Sequence, residues 1–357
     1  MEEQRSTRGR QPLERGPAMM DVAILAGVSH QTVSRVVNAL PGVKPTTRVR
    51  VLAAIEQLGY RRNSAARALV TGRSQTLGVV TLNSTLYGPA STLYGIEQAA
   101  LESKYFVTVA SLRSTERPAV RQAIGRLVDQ GVEGVVIIAP LVALAEALAD
   151  LPTDLPIVAV EGDADADIDV VTVGQDAGAH AATAHLLSLG HQTVWHVAGP
   201  TDWLEARQRT AGWRRTLEEA GAEVPPPLPG DWSARSGYDA GRVLARMPDV
   251  TAIFAANDSM AVGIMRAFHE AGRPIPGAVS LVGFDDVPEA AYYSPPLTTI
   301  RQDFGEVGRR SLALLLDQIE AGSRPAQRHV VETTLVVRDS TASTPAAGQP
   351  RRRRPSR

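Results

Sequence analysis

From residue 77 onward the chain repeats one unit, a short apolar run followed by a stretch of helical periodicity. The runs fall at 77–82, 106–110, 134–139, 157–160, 193–197, 252–255 and 279–283. Alternation of this kind predicts βαβ units, hence parallel sheets with helices on both faces. The fold class is therefore α/β. With 357 residues and 44% hydrophobic content, the chain is large enough for two or three domains. This body is too long for a single sheet of the kind, so two subdomains are expected. Ligands of such sheets sit at the carboxyl ends of the strands. Between two facing sheets that place is a cleft.

The residues that follow the runs are polar. Glu161 follows 157–160, Asn257 and Asp258 follow 252–255, Asp285 and Asp286 follow 279–283, and Arg207 and Arg209 open the helix after Gly199-Pro200. Carboxylates and Asn accept from or pair with vicinal hydroxyls, and Arg donates to ring or hydroxyl oxygens. Trp203 and Trp232 offer apolar faces for a pyranose. Each polar residue is equally a turn former or helix cap, and Trp213 reads as core.

Ahead of this body lies a basic head. Residues 1–73 hold 12 basic against 5 acidic side chains and 351–357 hold five arginines, so a chain of net charge −1 is left with −13 between them. A basic head on an acidic body points to a polyanion bound by the head alone. Residues 1–18 lack periodicity and read as a disordered extension. In the following pattern Val22, Ala23 and Ala26 recur at helical spacing, Gly27 permits a tight turn, and Ser29 is a good cap for the next helix. In that helix Val33, Val36 and Val37 face inward and leave His30, Gln31, Ser34 and Arg35 outside. Gln pairs with adenine and Arg with guanine in the major groove. A third helix is predicted from Pro45 to Leu58 with Gly59 as its stop, and Val49, Leu52 and Ile55 are expected to close the core of the head.

The string Ala26-Gly27-Val28-Ser29-His30-Gln31-Thr32-Val33-Ser34-Arg35-Val36-Val37-Asn38 resembles the head of the lac repressor family almost residue for residue. The body resembles the same family's periplasmic-binding-protein-like core from about 77 to 338. The strings that carry this are His185-Leu186-Leu187-Ser188-Leu189-Gly190-His191, Ala211-Gly212-Trp213, Gly230-Asp231-Trp232-Ser233, Ala256-Asn257-Asp258, Gly283-Phe284-Asp285-Asp286 and 295–304. The resemblance implies a helix-turn-helix domain at 19–62, a hinge helix at 63–74, and a sugar-binding core at 75–340. Within the core it implies an amino-terminal subdomain of 75–173 with 302–331, and a carboxyl-terminal one of 174–301 with 332–340. A disordered basic tail is expected at 341–357.

By the same resemblance, Ser29, His30, Gln31, Thr32, Ser34, Arg35 and Asn38 contact operator DNA. In the hinge, Asn63 joins them, Ala66 packs on its mate across a dimer axis, and Leu69 wedges into the minor groove. The sugar ligands fall on Arg209, Asn257 and Asp285, with Glu161 where the family's type member has Asp. Pocket walls fall on Leu86, Pro89, Trp232 and Phe304, with Gln302 near the cleft. Trp203 and Glu205 stand where the type member has small serines, which points to a different sugar or aglycone; a β-galactoside is the first candidate.

Two caps depart from the family pattern. Ala18-Met19-Met20-Asp21 lacks the usual Thr cap, so the first helix is expected to fray, and Lys44-Pro45 stands where Ser is common. After Val337 no a/d heptad appears, so a homodimer is expected in place of a tetramer.

The implied function is a repressor on a pseudo-palindromic operator, released by a small sugar. A corepressor-dependent regulator or an activator stays open on the same scaffold. No residue is assigned a catalytic role, and neither a metal nor a cofactor is called for. The chain has no cysteine, which removes disulfides, thiolate metal sites and cysteine nucleophiles. The amino terminus has no apolar signal region, and no apolar run reaches membrane length. A cytoplasmic, nucleoid-associated protein is the expectation. A transport binding protein sits badly with the basic head. A glycosidase would need carboxylate pairs, which the cleft has, but every one of them has a ligand-binding role. Only Lys44 and Lys104 are lysines among 37 basic residues, an arginine bias that suggests a GC-rich genome.

Overall fold

The computed structural model describes residues 16–61, 72–82, 85–112, 116–138, 155–162, 168–322 and 325–344. The chain forms two compact units, Met1–Arg73 and Ser74–Arg357.

The first unit holds three helices: α1 (Met19–Ala26), α2 (His30–Val37) and α3 (Pro45–Leu58). Gly27 and Gly59 end α1 and α3 in the left-handed conformation, at φ 58° and 60°, which a glycine adopts without a Cβ clash. Ser29 caps α2 by accepting the Thr32 N–H at 3.2 Å. At α1 the Ala18 side chain cannot cap, but Asp21 reaches back and accepts the Ala18 N–H at 2.7 Å. That bond is half of a capping box, and it ties down the end where fraying was expected. Ala18 is thus part of the helical unit, not of a disordered extension.

Val22, Ala23, Ala26, Val33 and Val36 form the core of the head, and Val37 packs against it. The expected contribution of α3 is corrected. Val49 and Leu52 are 68% and 50% exposed, whereas Val51 and Ala54 are buried and Ile55 and Leu58 pack beside them. The stripe 51-54-55-58 follows the i, i+3, i+4, i+7 face of a helix, which 49-52-55 does not. Asn63, Ala66 and Leu69 lie outside the described residues.

The second unit runs β1 (Thr76–Leu82), α4 (Tyr87–Glu102), β2 (Phe106–Leu112), α5 (Arg117–Asp129), β3 (Val135–Ile138), β4 (Ile157–Val160) and β5 (Asp169–Val173). It continues with α6 (Gln175–Ser188), β6 (Trp195–Ala198), α7 (Leu204–Glu219), β7 (Leu228–Pro229), α8 (Ala234–Leu244), β8 (Ala252–Ala255), α9 (Asp258–Glu270) and β9 (Ser280–Asp285). It closes with a 3₁₀ turn (Pro288–Tyr292), β10 (Thr298–Gln302), α10 (Phe304–Ala321), β11 (Arg328–Val331) and β12 (Thr333–Val336). No described helix is long and apolar enough to cross a membrane.

Two six-stranded sheets result, ordered β11-β5-β4-β3-β1-β2 and β12-β10-β9-β8-β6-β7. All pairings are parallel except β10 with β12. Leaving out β11 and β12, each sheet has the doubly wound order 2-1-3-4-5, and its strand order reverses at β1/β3 or β6/β8. The chain passes between the sheets three times, at 173–175, 302–304 and 331–333. The Gly174 N–H donates to the Val331 carbonyl at 2.9 Å and binds two of these crossings together.

In the first sheet one face packs on α4 and α10 through Ile96, Ala99, Val307 and Leu315. In the second, α6 and α7 cover one face with Leu186, Trp213 and Leu217 against Phe254 and Phe284. The buried Trp213 Nε1 donates to the Val194 carbonyl at 2.8 Å, a core role. The inner strands β1, β3, β4, β5, β8 and β9 are buried on both faces, as continuous apolar runs in a parallel sheet require, while the edge strand β2 is partly exposed.

Residues 341–344, expected to open the tail, are bonded to the second lobe. The Ala342 N–H donates to Ser280 Oγ at 3.0 Å, the Thr344 N–H donates to the Leu189 carbonyl at 3.0 Å, and Thr341 Oγ1 pairs with His185 Nε2 at 3.0 Å. Small hydroxyl side chains satisfy buried partners here, which a composition read as tail-like hides.

Candidate functional site

On the head, α2 presents Ser29, His30, Gln31, Arg35 and Asn38 to solvent, with Thr32 and Ser34 half-buried. Asn38 Nδ2 donates to the Ser34 carbonyl at 2.8 Å and its Oγ at 3.2 Å, and Arg35 Nε donates to the Pro41 carbonyl at 3.4 Å. Polar side chains capable of edge readout therefore line one face of a helix whose other face is core.

In the second unit, a cavity of about 430 Å³ opens at the carboxyl ends of both sheets. Leu86, the N-cap of α4, and Pro89 in its first turn stand in its wall. Glu161 follows β4, Asp285 ends β9, and Gln302 ends β10 just before Phe304 opens α10. Trp203, Glu205 and Arg209 come from the start of α7, Trp232 precedes α8, and Asn257 caps α9. All eleven sequence-selected pocket residues line this one cavity. They come together because each follows a strand at the end where a doubly wound sheet leaves its crevice.

A buried polar network crosses the floor. Glu161 accepts from Thr172 Oγ1 at 2.5 Å, the Val173 N–H at 2.8 Å and Gln175 Nε2 at 3.1 Å. Gln175 Nε2 also donates to Gln302 Oε1 at 3.1 Å, and Gln302 Nε2 donates to Asp285 Oδ1 at 2.7 Å. Arg209 Nε donates to Gln175 Oε1 at 2.8 Å, Nη1 donates to the Ala256 carbonyl, and the guanidinium lies 3.7 Å from Asp285. Its Cζ stands 3.8 Å over the Phe284 ring and 5.4 Å from that of Trp232. Asn257 is held from both ends: Oδ1 accepts the Met260 N–H at 2.8 Å and Nδ2 donates to the Trp232 carbonyl at 3.1 Å.

Burial raises Asp285 to about 6 against the pull of Arg209 and Gln302. Burial also raises Glu161, against its three donors. Glu205 is pushed well above the carboxylate range by burial and then by Glu161. Glu161, Trp232 and Asp285 sit at positive φ, 56°, 71° and 115°. Backbone strain at three non-glycine residues around one cavity marks a site where side-chain direction outranks local stability. Glu205 Oε2 and Trp232 Nε1 are shielded from solvent and have no partner among the described residues.

Several polar residues that sequence reasoning placed beside the cleft have structural work. Asp258 accepts from Thr299 Oγ1 at 2.6 Å and the Val287 N–H at 2.9 Å. Asp286 pairs with Arg301 and Arg338, each at 2.6 Å. Arg207 is exposed and donates to the Thr201 carbonyl at 2.5 Å. Conversely, Gln175 was missed, although it joins Glu161, Gln302 and Arg209. Its signal was the valine-rich stretch 168–173 just ahead of it, with Val170, Val171 and Val173. Tyr87, edge-on to Phe304 at 5.7 Å, was missed as well. Among the described residues no group of His, Asp or Glu has the geometry of a metal site.

A helix-turn-helix joined in one chain to a two-sheet core with a polar interlobe cavity defines a regulatory protein that carries both a DNA-reading head and a small-molecule pocket. Residues 18–63 match the family described as bacterial regulatory proteins, lacI family, and residues 183–341 match the periplasmic binding protein-like domain. The chain is 35% identical over 325 residues to the lactose operon repressor of Escherichia coli K12, covering 90% of each. It is 34% identical over 345 residues to the transcriptional regulator CelR of Thermobifida fusca, covering 91% of this chain and 98% of that one. Its fold is similar to the lac repressor dimer bound to operator and the anti-inducer ONPF, with TM-score 0.83 and 33% identity over 92% of this chain and 100% of that one. It is similar also to a CelR–cellobiose complex, with TM-score 0.68 and 32% identity over 91% of this chain and 99% of that one. The chain belongs to the lacI family of bacterial regulatory proteins.

Proposed function

We propose that this protein is a sequence-specific transcriptional repressor, released from its operator by a small saccharide bound in the interlobe cavity. The observation that carries the effector half is the cavity itself, where carboxyl, amide and guanidinium groups share a strained, buried site with aromatic walls. Such a lining suits a polyhydroxylated ring: polar groups meet hydroxyls and aromatic faces meet C–H faces. Arg209, Asn257, Asp285 and Glu161 hold the sugar, Leu86, Pro89, Trp203, Glu205, Trp232 and Phe304 shape the pocket, and Gln302 orients Asp285. A β-galactoside is the first candidate.

For the DNA half, Gln31 and Arg35 read base edges in the major groove. Ser29, His30, Thr32, Ser34 and Asn38 flank them, and the hinge positions Asn63, Ala66 and Leu69 enter the minor groove. The protein acts as a homodimer on a pseudo-palindromic operator in the cytoplasm. Support for a dimer comes from Tyr94 and Leu101 on α4 and Phe106 on the edge strand β2, which are 62%, 70% and 71% exposed. None of the pocket carboxyls acts as a catalyst.

The test is fluorescence anisotropy of a lac-like palindrome with a central CG step, read against a panel of mono- and disaccharides. Release of the DNA by one sugar is expected. Tightening by a sugar would make the protein corepressor-dependent, and DNA binding that no sugar alters would remove the saccharide assignment.

A further inference from the structure

The arginine tract at 351–354 has no part in either half of the function proposed above. After Asp339 the sequence holds no acidic residue, while Arg351, Arg352, Arg353, Arg354 and Arg357 put five positive charges into seven positions. Residues 345–357 lie outside the described residues, but the point from which they leave is fixed. Beyond β12 the chain runs as a strap, 338–344, along the second lobe. Ser340 Oγ accepts the Thr298 N–H at 2.8 Å, the Ala342 N–H donates to Ser280 Oγ at 3.0 Å, and the Thr344 N–H donates to the Leu189 carbonyl at 3.0 Å. His191 Nε2 lies 3.3 Å from the Ala342 carbonyl, and Thr344 Oγ1 donates to the Gly190 carbonyl at 3.1 Å.

Those partners show where the strap is heading. Thr298 and Ser280 are the first residues of β10 and β9, and Leu189 and Gly190 precede β6. All lie at the amino ends of the second sheet, whereas the cavity opens at the carboxyl ends of both sheets. The head is joined to the corresponding end of the first sheet. Ser74 and Gln75 lead into Thr76 of β1, and the Gln75 carbonyl accepts the N–H of Phe106, the first residue of β2, at 2.8 Å. The chain thus enters the core at one pole and leaves it at the other. A strand of six or seven residues spans roughly 20 Å, so two sheets with a cavity between them hold the poles more than about 40 Å apart. The ten residues from Thr344 to Arg354 reach about 35 Å at full extension, too short to return to the pole where the head is joined.

We propose that the arginine tract binds the phosphate backbone of a second DNA duplex, separate from the one read by α2. The saccharide reading plays no part in this. A run of guanidinium groups with no acidic neighbour in sequence suits phosphate oxygens, and each pairing releases a counterion. Among the described residues the side chains that hold 341–344 are hydroxyls and imidazoles, so no carboxylate is engaged where the strap hands over to the tract. Charge asymmetry alone reserves the polyanion for the head; the anchored strap gives the tail one of its own. The rival occupant is the body itself, with −13 between head and tail.

Capture on immobilised DNA tests this. The full chain is bound to beads carrying the lac-like palindrome with a central CG step, and a labelled duplex of scrambled sequence is added at low salt. Wild type is expected to retain the labelled duplex. A variant combining Arg351→Gln, Arg352→Gln, Arg353→Gln and Arg354→Gln should retain at least about tenfold less, while its operator affinity stays within about twofold and so reports that it is folded. Retention by wild type should fall with salt at a log–log slope of about −3.6 for each tail engaged, one phosphate to each arginine. The same capture on beads carrying a scrambled duplex needs no operator, and wild type alone should bridge the two duplexes. Equal retention by wild type and variant on both kinds of bead overturns the proposal. So does no retention by wild type, the result for a tail held on the body. A single-stranded RNA that displaces the label more readily than unlabelled duplex also overturns it, by moving the tract to RNA. Failure to bind the palindrome, with bridging of scrambled duplexes intact, would count against that operator and leave the tail proposal standing.

Discussion

His196 is fully buried in β6, stacked on Phe254 at 4.8 Å and 13°. Its Nδ1 lies 3.0 Å from the Phe254 carbonyl, which can only accept, so Nδ1 carries the proton and Nε2 accepts from Thr210 Oγ1 at 3.2 Å. Burial, with Arg209 adding to it and the Phe254 carbonyl opposing, lowers this imidazole to about 4. The folded state therefore prefers the neutral ring. Its contribution is fully present above the unfolded value near 6.5 and is lost as pH falls through the folded value. Asp285, raised to about 6, runs the other way: its contribution is present at low pH and lost as pH rises through 6. A comparison of wild type with His196→Gln isolates the histidine. In urea unfolding, the stability difference between them should shrink by about 3 kcal/mol between pH 7 and 4. A difference that stays constant over that range would mean that the ring titrates alike in the folded and unfolded chain.

Helix packing in both lobes depends on absent side chains. In the second lobe α8 and α9 cross at Gly237 and Gly263, where a Cβ would run into the Met260 and Ala234 carbonyls. In the first, Gly95 of α4 and Gly308 of α10 meet in the same way. At such crossings an added methyl cannot be absorbed by rotating a flexible side chain, because the obstacle is backbone. Gly263→Ala should cost about 3 kcal/mol or prevent folding. Gly125, exposed within α5 with nothing near its added Cβ, supplies the contrast. Gly125→Ala should stabilise by about 0.5–1 kcal/mol through helix propensity and a less flexible unfolded chain. Urea midpoints of the two variants check both signs together.

Over the whole chain, the proposed repressor requires that head and pocket be thermodynamically coupled. Effector and operator must then weaken each other by one common factor, typically about 5–150-fold. Titrating effector with and without a saturating operator duplex, and operator with and without saturating effector, should return that single factor twice. Equal effector affinity in both titrations would sink the coupling. The operator contacts are cationic, so their affinity should fall steeply with salt. Effector binding to a pocket buried in the core should change little.

Residue type and spacing were enough to specify the turn glycine Gly27, the Ser29 cap, the α/β class and the polar residues that follow the strands. These depend on local backbone preference and hydrophobic period, which operate within a few residues. What needed the tertiary structure was the sorting of near-identical candidates. Asp285 and Asp286 are neighbours, yet one faces the cavity and the other an arginine pair, because the backbone turns there at positive φ where β9 ends. Likewise α3 offered two apolar stripes, and only packing against α1 and α2 chose 51-54-55-58. Gln175 could not be assigned from its own surroundings, since its partners lie 14, 34 and 127 residues away. Glu205 was visible as a bulky departure, but its unpartnered oxygen exists only once Glu161, Arg209 and Trp232 are brought around it. Contacts made across such separations belong to the folded chain, and no local pattern in the sequence encodes them.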